Sequence, residues 1–362
     1  MIAAFVAASF VQASGQDTSR HVAWSGYVDT YFAYDFGRPA NFDRVFTTQA
    51  ARHDEFNINL AYVAAALTGD RIRGRIALQA GTSVQANYAS EPAVGAVSGA
   101  TLSRHIQEAT AGARLAPSLW IDGGVYFSYI GWEGWISRDN PTYTRSLVAE
   151  YTPYYLSGVH LTWQPRFGAH GAGVVGPAPV TIQLHLMNGW QNVSENNHGK
   201  AVGLRVDWQP SPDVTLAYSD FIGNERPQGS PAATRVFNQL MMKAVSGRLA
   251  VQGQIDYGRE AGQDWYGLVV IAHETVAPTA SLSCRLERYN DPHQIIVVTG
   301  TAAGLETSGA SLGLEVGRTE GLLWRTELRG LRATSPLFPS HGIPDAARNN
   351  FVIVTSLALT LQ

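Results

Sequence analysis

Residues 202–220 read VGLRVDWQPSPDVTLAYSD, and apolar and polar side chains alternate along most of this stretch. The apolar side chains take every second position before and after the turn PSPD: Leu204, Val206, Trp208, Val214, Leu216 and Tyr218. A period of two on both sides of a short turn predicts a β-hairpin. In a soluble sandwich the apolar face would form the core. In a membrane barrel that face would meet lipid, and the polar face would line a wet lumen.

The composition favours the membrane barrel. Charged residues make up 15% of the 362 residues, and the chain has 36 glycines. Soluble domains usually carry about 25% charged residues. The formal net charge of −3 argues against a nucleic-acid partner bound through phosphate neutralisation. Cys284 is the only cysteine, which excludes an intramolecular disulfide and a cysteine-based zinc site.

The first residues predict a leader. Residues 2–11 are almost entirely apolar, and the small residues Ala13, Ser14 and Gly15 follow. This order is typical of a signal peptide whose positively charged start is missing. The sequence therefore predicts a signal peptide at 1–15 and one barrel domain at 16–362. No later stretch reaches the length of about 20 apolar residues that a membrane helix needs.

The same alternation recurs along the chain and predicts about 16 strands, most of them close to the length of about 9–11 residues with which a tilted strand crosses a bilayer. The pattern is weak at 234–243 and 264–275. Short connections alternate with long ones at 36–53, 82–103, 131–155, 290–305 and 333–349. This order is typical of short periplasmic turns and long outer loops. The predicted fold is all-β, a transmembrane antiparallel up-and-down barrel. The long stretch 165–178, where a short turn is expected, is interpreted as an insertion.

Aromatic side chains on the apolar parity predict membrane girdles. Trp24, Trp163, Trp208 and Trp324 lie near the strand ends predicted to be periplasmic. Phe56, Trp190, Tyr257 and Tyr266 lie near the opposite ends. Aromatic rings favour the headgroup level of a bilayer, so two such belts are expected of a barrel in lipid.

Motifs for catalysis and metal binding are weak. The run GASLG at 309–313 matches a nucleophile elbow, but the alternation continues straight through it, whereas the elbow needs a sharp strand-to-helix turn. His160, His185 and His273 share the lumen parity without a ligand pair two residues apart on one strand. We therefore expect no enzyme activity, no cofactor and no metal site.

Two segments resemble a known family. They are SGYVDTYFAYDFGRP, which begins at Ser25, and the stretch 123–163, which contains IGWE at 130–133, DNPTYTRS at 139–146 and GVHLTW at 158–163. These motifs resemble the β-barrel porin-2 family of bacterial outer-membrane proteins. The resemblance implies a porin-like barrel in the outer membrane and says little about the solute. The chain departs from the family pattern at 165–178. It also ends on Gln362 rather than on the aromatic residue with which many outer-membrane barrels end.

The loop at 131–155 is predicted to fold into the lumen and to narrow it. It is rich in Tyr and Trp, which would be poorly placed in free solvent, and it corresponds in position to the third loop of porins. Its proposed functional residues are Glu133, Arg138, Asp139, Tyr143 and Arg145. Arginines on the lumen parity are expected to face its carboxylates: Arg73, Arg75, Arg114, Arg205, Arg285, Arg325 and Arg329. Such a transverse field would select small polar solutes by charge and size.

A simpler alternative is that these arginines pair with carboxylates on neighbouring strands: Glu108, Asp122, Asp207, Glu287 and Glu327. Two functions stay open at this point. One is passive diffusion of small hydrophilic solutes, and the other is a non-conducting structural or adhesive barrel with a plugged lumen. The expected partners are outer-membrane lipid and lipopolysaccharide, small hydrophilic solutes, and the assembly machinery during insertion. Association into a homotrimer is left open.

Overall fold

A computed structural model describes residues 20–165, 180–317 and 321–361. The predicted signal peptide lies outside these ranges, and so does most of the insertion at 165–178. Sixteen antiparallel strands form one closed barrel, which confirms the predicted fold. Each barrel strand pairs with its neighbours in the chain, and closure occurs where β1 (His21–Asp35) pairs with β18 (Asn349–Leu361). Closure leaves no free sheet edge, as a barrel in lipid requires.

The other barrel strands follow one another in the order of the chain: β2 (Phe56–Thr68), β3 (Ile72–Ala80), β4 (Ile106–Ala116), β5 (Leu119–Phe127), β6 (Tyr155–Trp163), β7 (Val180–Met187), β8 (Ala201–Ser211), β9 (Val214–Asn224), β10 (Thr234–Ser246), β11 (Leu249–Glu260), β12 (Gln263–Ala277), β13 (Ala280–Asp291), β14 (Leu305–Val316) and β15 (Leu322–Ala333). The shorter elements all lie in the long connections: α1 (Thr82–Asn87), α2 (Ala100–Ser103), a 3₁₀ turn (Ser137–Asp139), α3 (Leu147–Glu150), β16 (Phe338–Ser340) and β17 (Ile343–Ala347).

The apolar face of the strands points outward. Leu240 and Ile255 are each 61% exposed, whereas their neighbours Gln239 and Asp256 are 1% exposed. A soluble β-sandwich would show the reverse, because its apolar face forms the core. The barrel therefore presents apolar side chains to its surroundings and encloses polar ones, as a barrel in lipid does.

Some strand limits differ from the predicted ones. The alternation predicts strands over 119–130 and 179–190, whereas β5 ends at Phe127 and β7 ends at Met187. At both places the chain leaves the wall to make contacts in the barrel interior, which periodicity does not reveal. The weakly patterned strands β10 and β12 are among the longer ones, with 13 and 15 residues.

The structure also shows a hairpin in one long loop and the position of the GASLG run. The prediction missed the hairpin of β16 and β17, which lies in the long loop before β18. The GASLG run lies within strand β14, which continues to Val316 without a strand-to-helix turn. In the described ranges, no helix combines the length and apolar character needed to cross a membrane.

Candidate channel lumen

The third outer loop, which we call loop 3 (residues 128–154), is bound to one side of the barrel wall. The backbone N–H of Leu147 donates to the Glu287 carboxylate at 2.6 Å. The N–H of Thr144 donates to the Glu327 carboxylate at 2.7 Å. The Arg285 guanidinium donates to the carbonyl oxygen of Thr144 at 2.6 Å. Wall side chains of β13 and β15 thus satisfy backbone groups that would otherwise be buried without partners.

Loop 3 is also bound to other strands around the barrel. The N–H of Gly131 donates to the side-chain carbonyl of Gln239 on β10 at 2.7 Å. Arg205 on β8 donates to the carbonyl oxygen of Gly131 at 3.2 Å. The Tyr143 hydroxyl donates to the Asp29 carboxylate on β1 at 3.3 Å. In the order of the barrel, β1 and β8 lie on opposite sides, so loop 3 extends between opposite walls.

Arg145 braces loop 3 from within. Its guanidinium donates to the carbonyl oxygens of Gly134 at 2.5 Å, Tyr143 at 2.8 Å and Trp135 at 2.9 Å. Its side chain is fully buried. A guanidinium presents five donors in a rigid fork, so one side chain can hold three backbone segments together. Arg145, one of the residues predicted for the constriction loop, therefore directs its donors into the loop itself.

Glu133 likewise has an internal position. Its carboxylate accepts hydrogen bonds from the N–H of Ser146, at 3.1 Å, and from the Ser146 hydroxyl. It also lies 3.9 Å from the Arg285 guanidinium. Glu133 is 7% exposed, so its charge is used to order the loop.

The predicted arginines are paired with wall carboxylates. Pairs between wall residues join Arg73 to Asp122, Arg75 to Glu108, Arg205 to Asp207, Arg285 to Glu327, Arg325 to Glu315 and Arg329 to Glu287. Arg114 instead stacks on the Trp120 ring, with 4.9 Å from guanidinium carbon to ring centroid. Where these arginines bind loop 3, most contacts go to carbonyl oxygens. Among the described residues, Arg285 is the one of these arginines that lies within ion-pair distance of a loop 3 carboxylate, at 3.9 Å from Glu133.

Three of the cavities in the described part of the chain share Trp132 of loop 3 in their walls, and the two larger ones extend to the wall arginines or lysine. One has a volume of about 380 Å³ and is lined by Arg138, Asp139 and Lys243, among others. The other has a volume of about 460 Å³, and Arg73 and Asp122 are among its lining residues. Thr215 and Ala250 of the first cavity and Arg73 of the second closely follow short turns, so both cavities extend into the half of the barrel that carries these turns. Lys243 was missed because the pattern of β10 is weak.

Asp139 is an acidic residue of loop 3 that lines the cavity of about 380 Å³. Its side chain is exposed to the cavity but enclosed on the other side by the loop and the wall. Partial burial raises the pKa of this carboxyl above its ordinary value, although Arg138, Arg145 and Arg325 oppose the shift. Asp139 therefore becomes neutral at a higher pH than an exposed aspartate would.

A cluster of apolar and aromatic side chains lies in the half of the barrel near the long loops. Leu147 and Val148 of loop 3 belong to it, together with Phe221, Phe237, Trp265 and Tyr289 of the wall. Trp190 packs edge-to-face on Phe221 and Phe237, with ring centroids 5.0 and 5.1 Å apart. The prediction that Trp190 belongs to a lipid-facing girdle is therefore wrong. It follows the end of β7, and its ring joins this inner cluster.

The other predicted girdle residues are exposed on the outside of the barrel: Trp24, Trp163, Trp208, Trp324, Phe56, Tyr257 and Tyr266. The four tryptophans lie near the end of the barrel at which β1 begins, and Phe56, Tyr257 and Tyr266 lie near the opposite end. These positions suit two headgroup levels separated by an apolar band.

A histidine pair on the lumen face was not anticipated. His160 on β6 and His185 on β7 are cross-strand neighbours, and their rings stack with centroids 5.0 Å apart. Tyr129 of loop 3 stacks on His185 at 3.9 Å. Knowledge of the strand register would have revealed this pair. Among the described residues, no cluster of His, Cys, Asp and Glu is arranged to hold a metal ion.

The model of the family described as "Putative beta-barrel porin-2, OmpL-like" matches residues 21–361. The chain belongs to this family. The match covers every barrel strand, and it makes the chain a porin-like barrel of the bacterial outer membrane. No curated protein matches the chain.

Solved porins share the fold at low sequence identity. The outer membrane channel DcaP of Acinetobacter baumannii has a TM-score of 0.61 at 9% identity, with 97% of this chain and 100% of that chain covered. An anion-selective porin from Comamonas acidovorans has a TM-score of 0.58 at 12% identity, with 94% and 100% covered. OmpT of Vibrio cholerae in its trimer form has a TM-score of 0.57 at 10% identity, with 94% and 99% covered. At these identities the likeness concerns the fold.

Proposed function

We propose that this barrel lets small hydrophilic solutes diffuse passively across the outer membrane, along a path that loop 3 narrows. The observation that carries the proposal is that loop 3 is bound to opposite walls, at β1 and β8, with cavities of about 380 and 460 Å³ beside it that share Trp132. A loop fixed in this way narrows the lumen of a wide barrel and leaves space beside it for a solute.

We further propose that only a few unpaired charges in the lumen determine which ions and solutes pass. Six of the seven predicted pore arginines have a wall carboxylate as partner, which cancels most of their long-range field. The cavity of about 380 Å³ adds Arg138 and Lys243 against Asp139. An excess of one positive charge at this wall would favour small anions weakly.

Swelling of proteoliposomes in isotonic solutes of increasing size tests the diffusion function. We expect fast swelling with the smallest polyols and sugars and a steep decline with solute size. Barrels that migrate as folded in heat-modifiability gels but give no swelling with any solute would contradict the proposal.

The selectivity of the channel should depend on the protonation of Asp139. As the pH falls, this carboxyl loses its charge at a higher pH than an ordinary aspartate, since burial raises its pKa. The preference for anions over cations should therefore rise on acidification. Reversal potentials in a salt gradient measure this preference.

In the Asp139→Asn variant, the anion preference should already be high at neutral pH and should change less on acidification. Asp264→Asn is the matched control, because Asp264 is an exposed carboxylate near Arg259 at the long-loop end of β12. A pH response that is the same in the Asp139→Asn variant and the wild type would rule out Asp139 as the titrating group.

A non-conducting barrel is the second candidate function. It is favoured by the apolar cluster near the long loops, where Leu147, Val148, Phe221 and Phe237 are fully buried. If this cluster closes the barrel, the loops would serve as contacts and swelling would be absent. A homotrimer and contacts with lipid, lipopolysaccharide and the assembly machinery are proposed for either function. The trimer form of the similar OmpT structure is the support for the first of these.

A further inference from the structure

Two arginines lie in one cross-strand row on the outside of the barrel, near its long-loop end. Arg288 on β13 is opposite Ser308 on β14, and Ser308 is opposite Arg332 on β15. Neighbouring strands are about 4.8 Å apart, so the two arginine backbones are about 10 Å apart. The Arg288 guanidinium donates to the Ser308 hydroxyl at 3.0 Å, and this directs it toward the strand that carries Arg332.

The charges of these two arginines are not neutralised by ion pairs. In the ranges 20–165, 180–317 and 321–361, no carboxylate forms a salt bridge with either guanidinium. Glu306 lies two residues before Ser308, one row further from the membrane centre. The two arginines together with Glu306 still carry a net positive charge. This differs from Arg259 on β11, which is also exposed near the long loops but lies 3.5 Å from the Asp264 carboxylate.

An apolar trough begins directly beside Arg332. Its volume is about 670 Å³, and its walls include Ala310, Gly330, Phe351 and Phe36. The next cross-strand row toward the membrane centre runs from Leu286 through Ala310 and Gly330 to Phe351. The two small residues between larger ones form the trough. The loop residues Pro339 and Ser340 bound it on the outer side.

We propose that this surface binds a phosphorylated lipid of the outer leaflet. The phosphate would lie between Arg288 and Arg332, and an acyl chain would follow the trough over Ala310 and Gly330. Guanidinium groups bind phosphate oxygens with paired N–H donors. The trough lies on the lipid-facing side, so an acyl chain reaches it without leaving the bilayer. A second copy of this chain packed about a twofold axis would instead bring two more unpaired arginines toward this row.

The proposal is tested by native mass spectrometry of the intact barrel released from micelles that contain bisphosphorylated lipid A. We expect one retained lipid. The retained fraction should fall about fivefold or more in the double variant Arg288→Gln and Arg332→Gln, since each lost guanidinium removes charge-assisted hydrogen bonds. The wild type should retain dephosphorylated lipid A as poorly as the double variant retains lipid A.

Two further variants separate the trough from the charges. Gly330→Leu should weaken retention of lipid A while leaving both arginines in place. The fold accommodates this change, because a Cβ on Gly330 would have the Phe351 ring as its nearest neighbour, at 3.8 Å. Arg259→Gln is the matched control and should retain lipid A as the wild type does. Heat-modifiability gels show that each variant is folded.

Several results would overturn the proposal. Equal loss of lipid A in the Arg259→Gln variant would indicate non-specific attraction to surface charge. Equal retention of phosphorylated and dephosphorylated lipid by the wild type would exclude phosphate recognition. Displacement of lipid A by millimolar inorganic phosphate would assign the arginines to a small-anion site rather than to a lipid.

Discussion

Removal of residues 134–148 is expected to raise the single-channel conductance several-fold. This segment contains Arg145, which braces loop 3, and the backbone groups that bind Glu287 and Glu327. Without it, the ions would pass through a wider lumen that retains the wall residues. Conductance of the variant in planar bilayers, compared with the wild type in the same salt, measures the effect.

The shortened barrel should still fold. The Glu133 carboxylate accepts a hydrogen bond from the N–H of Ser146 at 3.1 Å, so the two ends of the cut lie close together and a short Gly-Ser linker can join them. The wall charges exposed by the deletion balance one another: Arg285 with Glu327, Arg325 with Glu315 and Arg329 with Glu287. These three ion pairs stay intact, so the deletion does not break a buried charge pair, which is a usual cause of large destabilisation. The buried Asp29 loses the hydrogen bond from Tyr143 and keeps the one from Asn59.

Deletion of residues 94–98 is the matched control, because this stretch of the second outer loop is largely exposed. It should leave the conductance unchanged. A folded 134–148 deletion with wild-type conductance would mean that loop 3 does not limit the current, and the narrowing role would have to be abandoned.

The substitution Leu240→Arg is expected to cost about 2–4 kcal/mol of barrel stability, the range for a charge on the lipid face near the bilayer midplane. Leu240 lies in the middle of β10 and is 61% exposed on the outward face. The free energy of unfolding from lipid vesicles in urea or guanidinium chloride measures the cost.

Lys243→Met on the same strand is the companion variant. Lys243 lines the cavity of about 380 Å³. Neither the lysine nor the methionine that replaces it has to leave water at this position. We expect a much smaller change in stability than for Leu240→Arg. Equal costs at the two positions would mean that the lipid and lumen faces of β10 are assigned the wrong way round.

The sequence was sufficient to predict the barrel because alternation reports directly on two faces with different surroundings. The hairpin at 202–220 shows this clearly, since β8 and β9 end and begin at the predicted turn. The weak pattern of β10 has a physical cause. Outward Met242 and inward Lys243 follow the expected alternation. The inward residues Phe237 and Met241 do not, because they are apolar and buried in the interior. Periodicity is lost wherever both faces carry apolar side chains.

The interior was harder to predict, because it depends on register and on loop packing. Parity along the strands predicts that Glu108 and Glu287 are available as partners of the wall arginines. Only the strand register shows that Glu108 pairs with Arg75 and Glu287 with Arg329. Trp190 had the parity of a lipid-facing residue, yet the strand ends before it and its ring packs on Phe221. Contacts between a loop and distant strands leave no periodic signal in the sequence.

Single-channel recording of the unmodified protein in planar bilayers tests the central claim most directly. We expect discrete, ohmic current steps that are several-fold smaller than those of the folded 134–148 deletion. A folded, inserted wild-type barrel that gives no current steps, while the deletion variant conducts, would contradict passive diffusion and would show that loop 3 plugs the barrel.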